Sequence, residues 1–261
     1  MNGASAPETA PAAITYVGHA TTLIDMDGAT LLTDPILRPR VWHLRRHSAA
    51  VDQTWHQQID AVLISHAHWD HLDIPSLKVL DRKTRLIMPH GLAVILRKHG
   101  FQHIEEMVVG QRLDVGPITI EATYAHHNGN RIFSGTMADC LGFVIRGRQT
   151  VYFAGDTDLF SDMAHLADHL DVALLPVWGW GPTLGQGHLD PRRAAQALQL
   201  LRPRLAIPIH WGTYFPIGLK WLYPHFLTDP PHRFANFAAT MTPDVEVQIV
   251  APGNSLRVNG A

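Results

Sequence analysis

Hydrophobic runs separated by turn residues fill the first half of the chain and predict β-strands. Residues 13–35 alternate apolar and polar positions, turn at Asp27-Gly28 and resume, which is typical of a hairpin. Other segments combine apolar runs or strand-like alternation with flanking turn residues. They predict five strands and a second hairpin, namely strands at 60–65, 85–89, 118–125, 171–177 and 204–210 and the hairpin at 140–156.

Helices are predicted mainly by their termini. Residues 91–100 fit a helix that ends at Gly100. A second helix begins with Asp190 as its N-cap and stops before Pro203, with an apolar face formed by Ala194, Ala195, Leu198 and Leu201. The mixture favours an α/β fold in which two sheets carry helices on their outer faces. We expect a flexible tail over 1–12 and a single domain over 13–261.

Composition narrows the class of protein. The chain has 261 residues, 46% hydrophobic and 17% charged, which is typical of a globular protein. A net charge of −2 provides no broad basic field, so we expect no nucleic-acid partner. The single cysteine, Cys140, excludes an internal disulfide and suits a cytoplasmic protein, and we expect it to be buried. Neither a signal peptide nor a membrane span is expected, and the oligomeric state is not predicted.

The segment ISHAHWDH (64–71) concentrates metal-binding side chains behind an apolar run. Because side chains alternate along a strand, His66 and His68 can point the same way. Asp70 and His71 follow where the chain should leave the strand. One short segment can therefore supply ligands to two neighbouring metal positions.

Further ligand types stand at the ends of other predicted strands. His126 and His127 follow the strand at 118–125, Asp156 follows the small Gly155, and His210 ends the last buried strand. Strand periodicity cannot choose between His126 and His127, because the chain has left the strand there. These side chains can converge only if the strand ends share one edge of the fold.

The motifs HAHWDH, a later His, GDTD and IHWGT resemble the metallo-β-lactamase fold superfamily in both type and order, over about Ile14 to Pro252. The resemblance implies a four-layer αββα sandwich with two divalent metal ions at one edge, zinc in the first place and manganese or iron as alternatives. It implies that His127, through an Ala-x-His pattern, is the ligand of the pair. The implied first-metal ligands are His66, His68 and His127, the second-metal ligands are Asp70, His71 and His210, and Asp156 bridges.

A finer resemblance points to one branch of that superfamily. The stretch YVGHATTLIDMDGATLLTDP is similar to the branch with N-acyl-phosphatidylethanolamine phospholipase D-like proteins and ascorbate-6-phosphate lactonase-like proteins. It implies that His19 touches the site or holds a ligand, and that Asp34 orients one. His188, in GHLDPRRAA, is either a catalytic residue that contacts substrate or donates a proton, or simply a residue at the helix entry.

The expected reaction is hydrolysis by a metal-bound hydroxide, with Asp70 as a catalytic residue that orients the nucleophile. A phosphodiester in a phospholipase D-like reaction is the first substrate class. A lactone or another carboxylic ester is the alternative, and an iron-dependent oxidation is the third. Seven nitrogen and oxygen ligands without cysteine favour an open catalytic site over a closed structural one.

Two further groups of residues bear on the substrate. The basic stretch 38–47 is either a solvated loop or a contact for an anionic group, through Arg38, Arg40, Arg45 and Arg46. Trp178 and Trp180 in a Gly-rich loop are predicted to line an apolar pocket, with Trp69, Trp211 and Tyr214 as further candidates. Together these groups favour a small-molecule or lipid-like substrate with an anionic part and an apolar part.

Overall fold

The computed structural model describes residues 11–50, 58–129, 138–166 and 168–258. The first ten residues of the expected tail lie outside this part of the chain, and Ala12 already begins the first strand. The strands are β1 (Ala12–Gly18), β2 (Thr21–Met26), β3 (Ala29–Thr33), β4 (Arg40–Val41), β5 (Leu44–Arg46), β6 (Ala61–Leu63), β7 (Arg85–Pro89), β8 (Ile104–Met107), β9 (Arg112–Val115), β10 (Ile118–Tyr124), β11 (Leu141–Arg146), β12 (Thr150–Phe153), β13 (Val172–Pro176), β14 (Leu205–Ile209), β15 (Tyr214–Pro216), β16 (Glu246–Val247) and β17 (Asn254–Val258). The α-helices are α1 (Ile74–Leu77), α2 (Ala93–Arg97), α3 (Pro191–Leu201) and α4 (Asp229–Met241), with 3₁₀ helices at Ser161–His165 and Pro224–Leu227.

Within the described residues, two seven-stranded sheets pack face to face. Their strand orders are β17-β1-β2-β3-β6-β7-β8 and β16-β14-β13-β12-β11-β10-β9. Side chains from both sheets share one core, which also takes in the apolar faces of α3 and α4. Helices α1 and α2 cover the outer face of the first sheet. This arrangement confirms the predicted αββα sandwich. A small third sheet, in the order β15-β5-β4, lies apart from both.

The site is positioned by parallel strands in each sheet. Strands β3, β6 and β7 run parallel to one another, as do β12, β13 and β14. Parallel strands end at a common edge of a sheet. The loops with Asp34, Ser65, Asp156 and His210 leave these strands within three residues of their ends, and so meet at one edge.

Most predicted elements are confirmed, with shorter bounds. The turn between β2 and β3 is formed by Asp27 and Gly28 at φ 53° and 86°, the left-handed pair that a tight hairpin requires. Asp190 caps α3, since its carboxylate accepts the Arg193 N–H at 2.8 Å. The helix predicted at 91–100 is only the five residues of α2, and turns of three residues carry the chain on to Gly100 (φ 83°). Cys140 is buried, as expected.

Candidate metal centre

Three imidazoles, His66, His68 and His127, form the first cluster. His66 Nε2 lies 3.0 Å from His68 Nδ1, and His127 Nε2 lies 3.2 Å from the same atom. The loop after β6 supplies two of these rings and the loop after β10 supplies the third. Three ring nitrogens thus face one point at the edge of the sandwich.

Asp70, His71 and His210 form the second cluster. His71 Nε2 lies 3.2 Å from His210 Nε2 and 3.8 Å from Asp70 Oδ2. The backbone turns between the two clusters, since the N–H of His71 donates to the carbonyl of His68 at 3.1 Å. This turn lets one segment supply both clusters, as the sequence predicts.

Asp156 lies between the clusters. Its Oδ2 is 3.2 Å from His71 Nε2, and its Oδ1 is 3.3 Å from His210 Nε2. It also groups within 4.8 Å with His127 of the first cluster. Oδ1 is buried and accepts no hydrogen bond, which is costly for a carboxylate oxygen unless a cation faces it. Gly155 permits this position, because a Cβ there would stand 2.6 Å from Ser65 Cβ.

Asp34 supports both clusters through hydrogen bonds. Its Oδ2 accepts the His71 Nδ1–H at 2.7 Å and the Ser65 hydroxyl at 2.6 Å. Because that hydroxyl proton is directed at Asp34, Ser65 Oγ accepts from His66 Nδ1 at 2.8 Å. Both imidazoles therefore turn Nε2 towards their clusters. These bonds fit the orienting role predicted for Asp34. Ser65 was not predicted, and its only signal in the sequence is its place directly before His66.

Backbone carbonyls orient two further imidazoles. His127 Nδ1 donates to the Gly187 carbonyl at 2.8 Å, and His210 Nδ1 donates to the Trp178 carbonyl at 3.1 Å. Carbonyls only accept, so each Nδ1 carries the proton and each Nε2 presents a lone pair. Nitrogen lone pairs that face one another across about 3 Å can be shared by a cation that lies between them. The donor set of nitrogens and carboxylates therefore fits divalent metal ions, zinc, manganese and iron among them.

The pKa values are consistent with cation binding. Burial lowers the pKa of His127 to about 4 and that of His210 to about 3, which keeps both neutral. Burial also lowers the pKa of His71, but the charges of Asp156, Asp70 and Asp34 outweigh it and hold that pKa well above its usual value. The surroundings of His71 Nε2 therefore favour positive charge, which a metal ion supplies as well as a proton.

Three buried residues of the site have left-handed backbones. His19, Asp34 and His210 have φ angles of 61°, 32° and 62°. Such conformations cost about 1–3 kcal/mol each in non-glycine residues and concentrate at functional sites. Hydrogen bonds stabilise them here: the His19 N–H donates to Thr213 Oγ1 at 2.8 Å and the His210 N–H to the His19 carbonyl at 2.7 Å. His19 Nε2 in turn donates to Asp70 Oδ2 at 3.0 Å, so His19 contacts a member of the second cluster.

His188 lies at the site and not merely at the entry of α3. Its Nε2 is 3.4 Å from Asp156 Oδ2, and its Nδ1 is 3.2 Å from the carbonyls of Gly185 and Gln186. Burial lowers the pKa of this half-buried ring, but the bond to Asp156 outweighs it and raises the pKa to about 9. His126, by contrast, is exposed beside Tyr124 and belongs to neither cluster among the described residues.

The aromatic residues that were predicted to line a pocket differ in how far they are buried. Trp178 and Trp180 are half-buried near the site, where Trp178 stacks on Phe226 with ring centroids 5.0 Å apart. Trp211 and Tyr214 are buried, Trp211 in the main core and Tyr214 in a small cluster against which Trp180 packs, so their contact with a substrate stays a prediction. Trp211 uses its Nε1–H on the Pro208 carbonyl, and the Tyr214 hydroxyl donates to the Arg38 carbonyl.

Two of the four arginines in 38–47 are committed to the fold. Arg38 makes two bonds to Asp73, at 2.8 and 2.6 Å, and Arg46 donates to the carbonyls of Ala49 and Val17. Bonds within the chain therefore occupy both of these side chains, and the two alternatives for the stretch stay open at the other two arginines. Arg40 and Arg45 are exposed and stand directly opposite each other across β4 and β5.

The family is decided by sequence comparison. Residues 29–211 match the family described as Beta-lactamase superfamily domain. The chain belongs to this superfamily. It is 32% identical to a UPF0173 metal-dependent hydrolase of Methanopyrus kandleri, over 93% of this chain and 98% of the relative. A UPF0173 metal-dependent hydrolase of Opitutus terrae is 34% identical, over 94% of this chain and 99% of that protein.

A solved structure agrees with the family. Igni18, a metallo hydrolase from Ignicoccus hospitalis, superposes with a TM-score of 0.73 at 25% identity, covering 96% of this chain and 99% of Igni18. The β-lactamase superfamily member described here is thus one of a family of metal-dependent hydrolases, as predicted. In the part of the chain that the structure describes, the helices are too short or too polar to cross a membrane.

Proposed function

We propose that the two clusters hold two divalent metal ions, zinc in the first place, and that the protein hydrolyses a phosphodiester in a phospholipase D-like reaction. His66, His68 and His127 would hold one ion, and Asp70, His71 and His210 the other. Asp156 would contact both. The observation that carries the proposal is the position of Asp156, whose buried Oδ1 has no hydrogen-bond partner between two converging sets of lone pairs.

Two such ions supply a nucleophilic water at neutral pH and polarise the scissile bond. The chain's own residues direct the proton transfers. Burial raises the pKa of Asp70, but His71 and His19 outweigh it and hold that pKa well below its usual range, so Asp70 is a carboxylate. His19 Nε2 fixes one of its oxygens at 3.0 Å. Asp70 can therefore orient the attacking water and accept its proton.

His188 is proposed as the proton donor to the leaving oxygen. Both of its ring nitrogens face acceptors, the Asp156 carboxylate on one side and two backbone carbonyls on the other. That environment favours the imidazolium form. The ring is half-buried, so it remains accessible from the solvent side of the site. A positioned acid of this kind contributes about 10²–10⁴ in rate.

The charge of the site supports an anionic substrate. The two clusters and Asp156 bring five imidazoles and only two carboxylates to the metal positions. Two divalent ions there would leave a formal charge of about +2. Such a site stabilises an anionic ester, and more strongly its transition state, which carries further negative charge. A positively charged site therefore favours a phosphodiester, which is an anion before it reacts, over a neutral lactone.

The test is a side-by-side hydrolysis assay on metal-loaded protein with an activated phosphodiester and a lactone. We expect phosphodiester turnover that disappears in Asp156→Ala. His188→Ala should retain its metal and lose about 10²–10⁴ in kcat, whereas His169→Ala, which removes an exposed histidine paired with Asp171, should change neither. Turnover of the lactone alone would replace the proposal with carboxylic-ester hydrolysis. If neither substrate is hydrolysed, the oxidoreductase alternative would replace the proposal.

A further inference from the structure

Large apolar side chains are exposed on the small third sheet and the loop that follows it. We call residues 40–46 and 214–223 the rim surface. Trp42 is 70% exposed, Trp221 89%, Leu222 68% and Ile217 47%. Single exposed apolar residues are ordinary, but a group of them, two of which are tryptophans, marks an interaction surface.

Backbone pairing joins the two segments of the rim surface. Strand β15 pairs with β5, and the Ile217 N–H donates to the His43 carbonyl at 3.0 Å. The loop then folds back, because the N–H groups of Leu222 and Tyr223 both donate to the Leu219 carbonyl at 3.1 Å. Trp42 stands at the tip of the β4–β5 turn with φ 49°, a strained conformation for an aromatic residue. Among the described residues, the Trp42 ring contacts that of His43, with centroids 4.6 Å apart, and is otherwise largely exposed.

Positive charge is segregated to the same surface. The rim surface contains three arginines and one lysine and no Asp or Glu, although the whole chain has a net charge of −2. Arg40 stands directly opposite Arg45, an arrangement that destabilises a strand pair unless an anion lies nearby. Burial lowers the pKa of His47, and the positive charges of Lys220 and Arg45 lower it further. Lys220 and Arg45 therefore both lie close enough to act on His47. Among the described residues, no salt bridge neutralises Arg40, Arg45 or Lys220.

We propose that the rim surface docks on a bilayer that contains anionic lipids. Trp42, Trp221 and Leu222 would enter the interfacial region, where tryptophan is favoured, while Arg40 and Arg45 would meet the headgroups. A second copy of the chain fits less well, because a twofold contact would set the same basic side chains against themselves. A nucleic acid would satisfy the arginines but not Leu222 and Ile217. This inference does not depend on the proposed reaction.

The rim surface borders the metal centre. The Trp180 ring lies 4.9 Å from that of His43, and the Tyr214 ring lies 5.6 Å from that of His19, which contacts Asp70. A docked molecule would therefore hold the edge with the metal ligands close to the lipid headgroups. If the proposed function also holds, the substrate is an amphiphilic phosphodiester taken from the membrane.

The test is co-sedimentation of the full chain with phosphatidylcholine vesicles, with and without phosphatidylserine. We expect binding to the anionic vesicles that weakens as salt is added. Arg40→Gln with Arg45→Gln should lower the apparent affinity about fivefold for each arginine. Trp42→Ser with Trp221→Ser should lower it at least about tenfold. The matched controls, Arg97→Gln with Lys98→Gln and Val79→Ser with Val94→Ser, change exposed residues near α1 and α2 and should bind as the wild type does.

Three outcomes would overturn the inference. The first is no sedimentation with anionic vesicles by the wild type. The second is binding by the rim variants that equals that of the controls. The third is self-association in ultracentrifugation that the tryptophan substitutions abolish while vesicles capture nothing, which would make the surface an interface between copies. Thermal unfolding checks that each variant is folded, and turnover of a water-soluble phosphodiester reports separately on the proposed function.

Discussion

The two clusters at the candidate metal centre differ in charge and burial. The first consists of three neutral imidazoles, of which His68 and His127 are only half-buried. The second contains the carboxylate of Asp70 and two imidazoles, His71 and His210, that are almost fully buried. A metal ion at the first position would draw negative charge from Asp156 alone, whereas the second position has its own carboxylate. The first position should therefore depend more on the shared residue.

The hydrogen bonds that orient the imidazoles also bring more negative charge to the second cluster than to the first. The first cluster relies on a serine hydroxyl and the Gly187 carbonyl, while His71 in the second is bonded directly to the Asp34 carboxylate. Asp34 nevertheless reaches His66 as well, through Ser65. Two residues, Asp156 and Asp34, therefore link the two proposed metal positions, whose other residues are separate. Substitutions can test that coupling.

The largest effect is expected from Asp156→Ala. Removing the shared carboxylate takes the only negative charge from the first position and weakens the second, which keeps its own three ligands, so metal content should fall from about two ions per chain to one or fewer. Hydrolytic kcat/KM should fall by about 10³ or more, since metal assistance supplies several kcal/mol. Metal analysis by mass spectrometry and turnover measure the two effects. Asp162→Ala, at an exposed position, is the control. Retention of both ions would show that Asp156 does not couple the clusters.

Asp34→Asn should weaken metal binding at both positions. An amide cannot accept from His71, Ser65 Oγ and the Ser65 N–H as the carboxylate does. Loss of such an outer partner costs about 10–100-fold in metal affinity. Competition with a chromophoric chelator measures each binding step. Asp60→Asn, which alters an acceptor for the Thr30 N–H, serves as the control. An effect confined to one step would mean that the link through Ser65 carries no energy.

His127→Ala and His126→Ala should show which of these two neighbouring histidines is a ligand at the first metal position. Loss of His127 should release about one ion of the two and leave the second cluster loaded, because that cluster keeps its own three ligands. His126→Ala should leave both ions in place, since its ring is exposed beside Tyr124. Metal analysis of the two variants is the measurement. The reverse pattern would overturn the choice of His127.

The smallest effect concerns the metal-free chain in acid. Burial lowers the pKa of His127 to about 4 and that of His210 to about 3, against 6.5 when unfolded. Below pH 6.5 the unfolded chain therefore binds protons that the folded chain does not. The free energy of unfolding therefore decreases as the pH is lowered. The raised pKa values of His71 and His188 oppose this in part. We expect a net loss of at least about 2 kcal/mol between pH 7 and pH 5. Urea unfolding measures it, and unchanged stability would contradict neutral imidazoles in the clusters.

Local patterns predicted the sandwich and the members of both clusters. The clustered side chains stand at strand ends and in one short motif, so their types and places can be read from nearby residues. The choice of His127 could not come from strand periodicity, because β10 ends at Tyr124 and the Gly187 carbonyl orients the ring. That contact joins residues 60 positions apart.

Long-range contacts account for what the sequence did not predict. Arg38 is neutralised by Asp73, which lies 35 positions away, a pairing that the basic stretch alone could not predict. Strand β17 pairs with β1 from the opposite end of the chain. The small third sheet joins β5 to β15 across more than half of the sequence, and its two- and three-residue strands are too short for a hydrophobic pattern.

The most direct test of the central claim is a zinc titration of the metal-free chain, followed by native mass spectrometry and calorimetry. The two-cluster account predicts saturation at about two ions per chain. Saturation should fall to about one in His127→Ala and in His71→Ala, with the opposite ion retained in each. Saturation of the wild type at a single ion, or loss of the same ion in both variants, would contradict two separate metal positions at this edge of the sandwich.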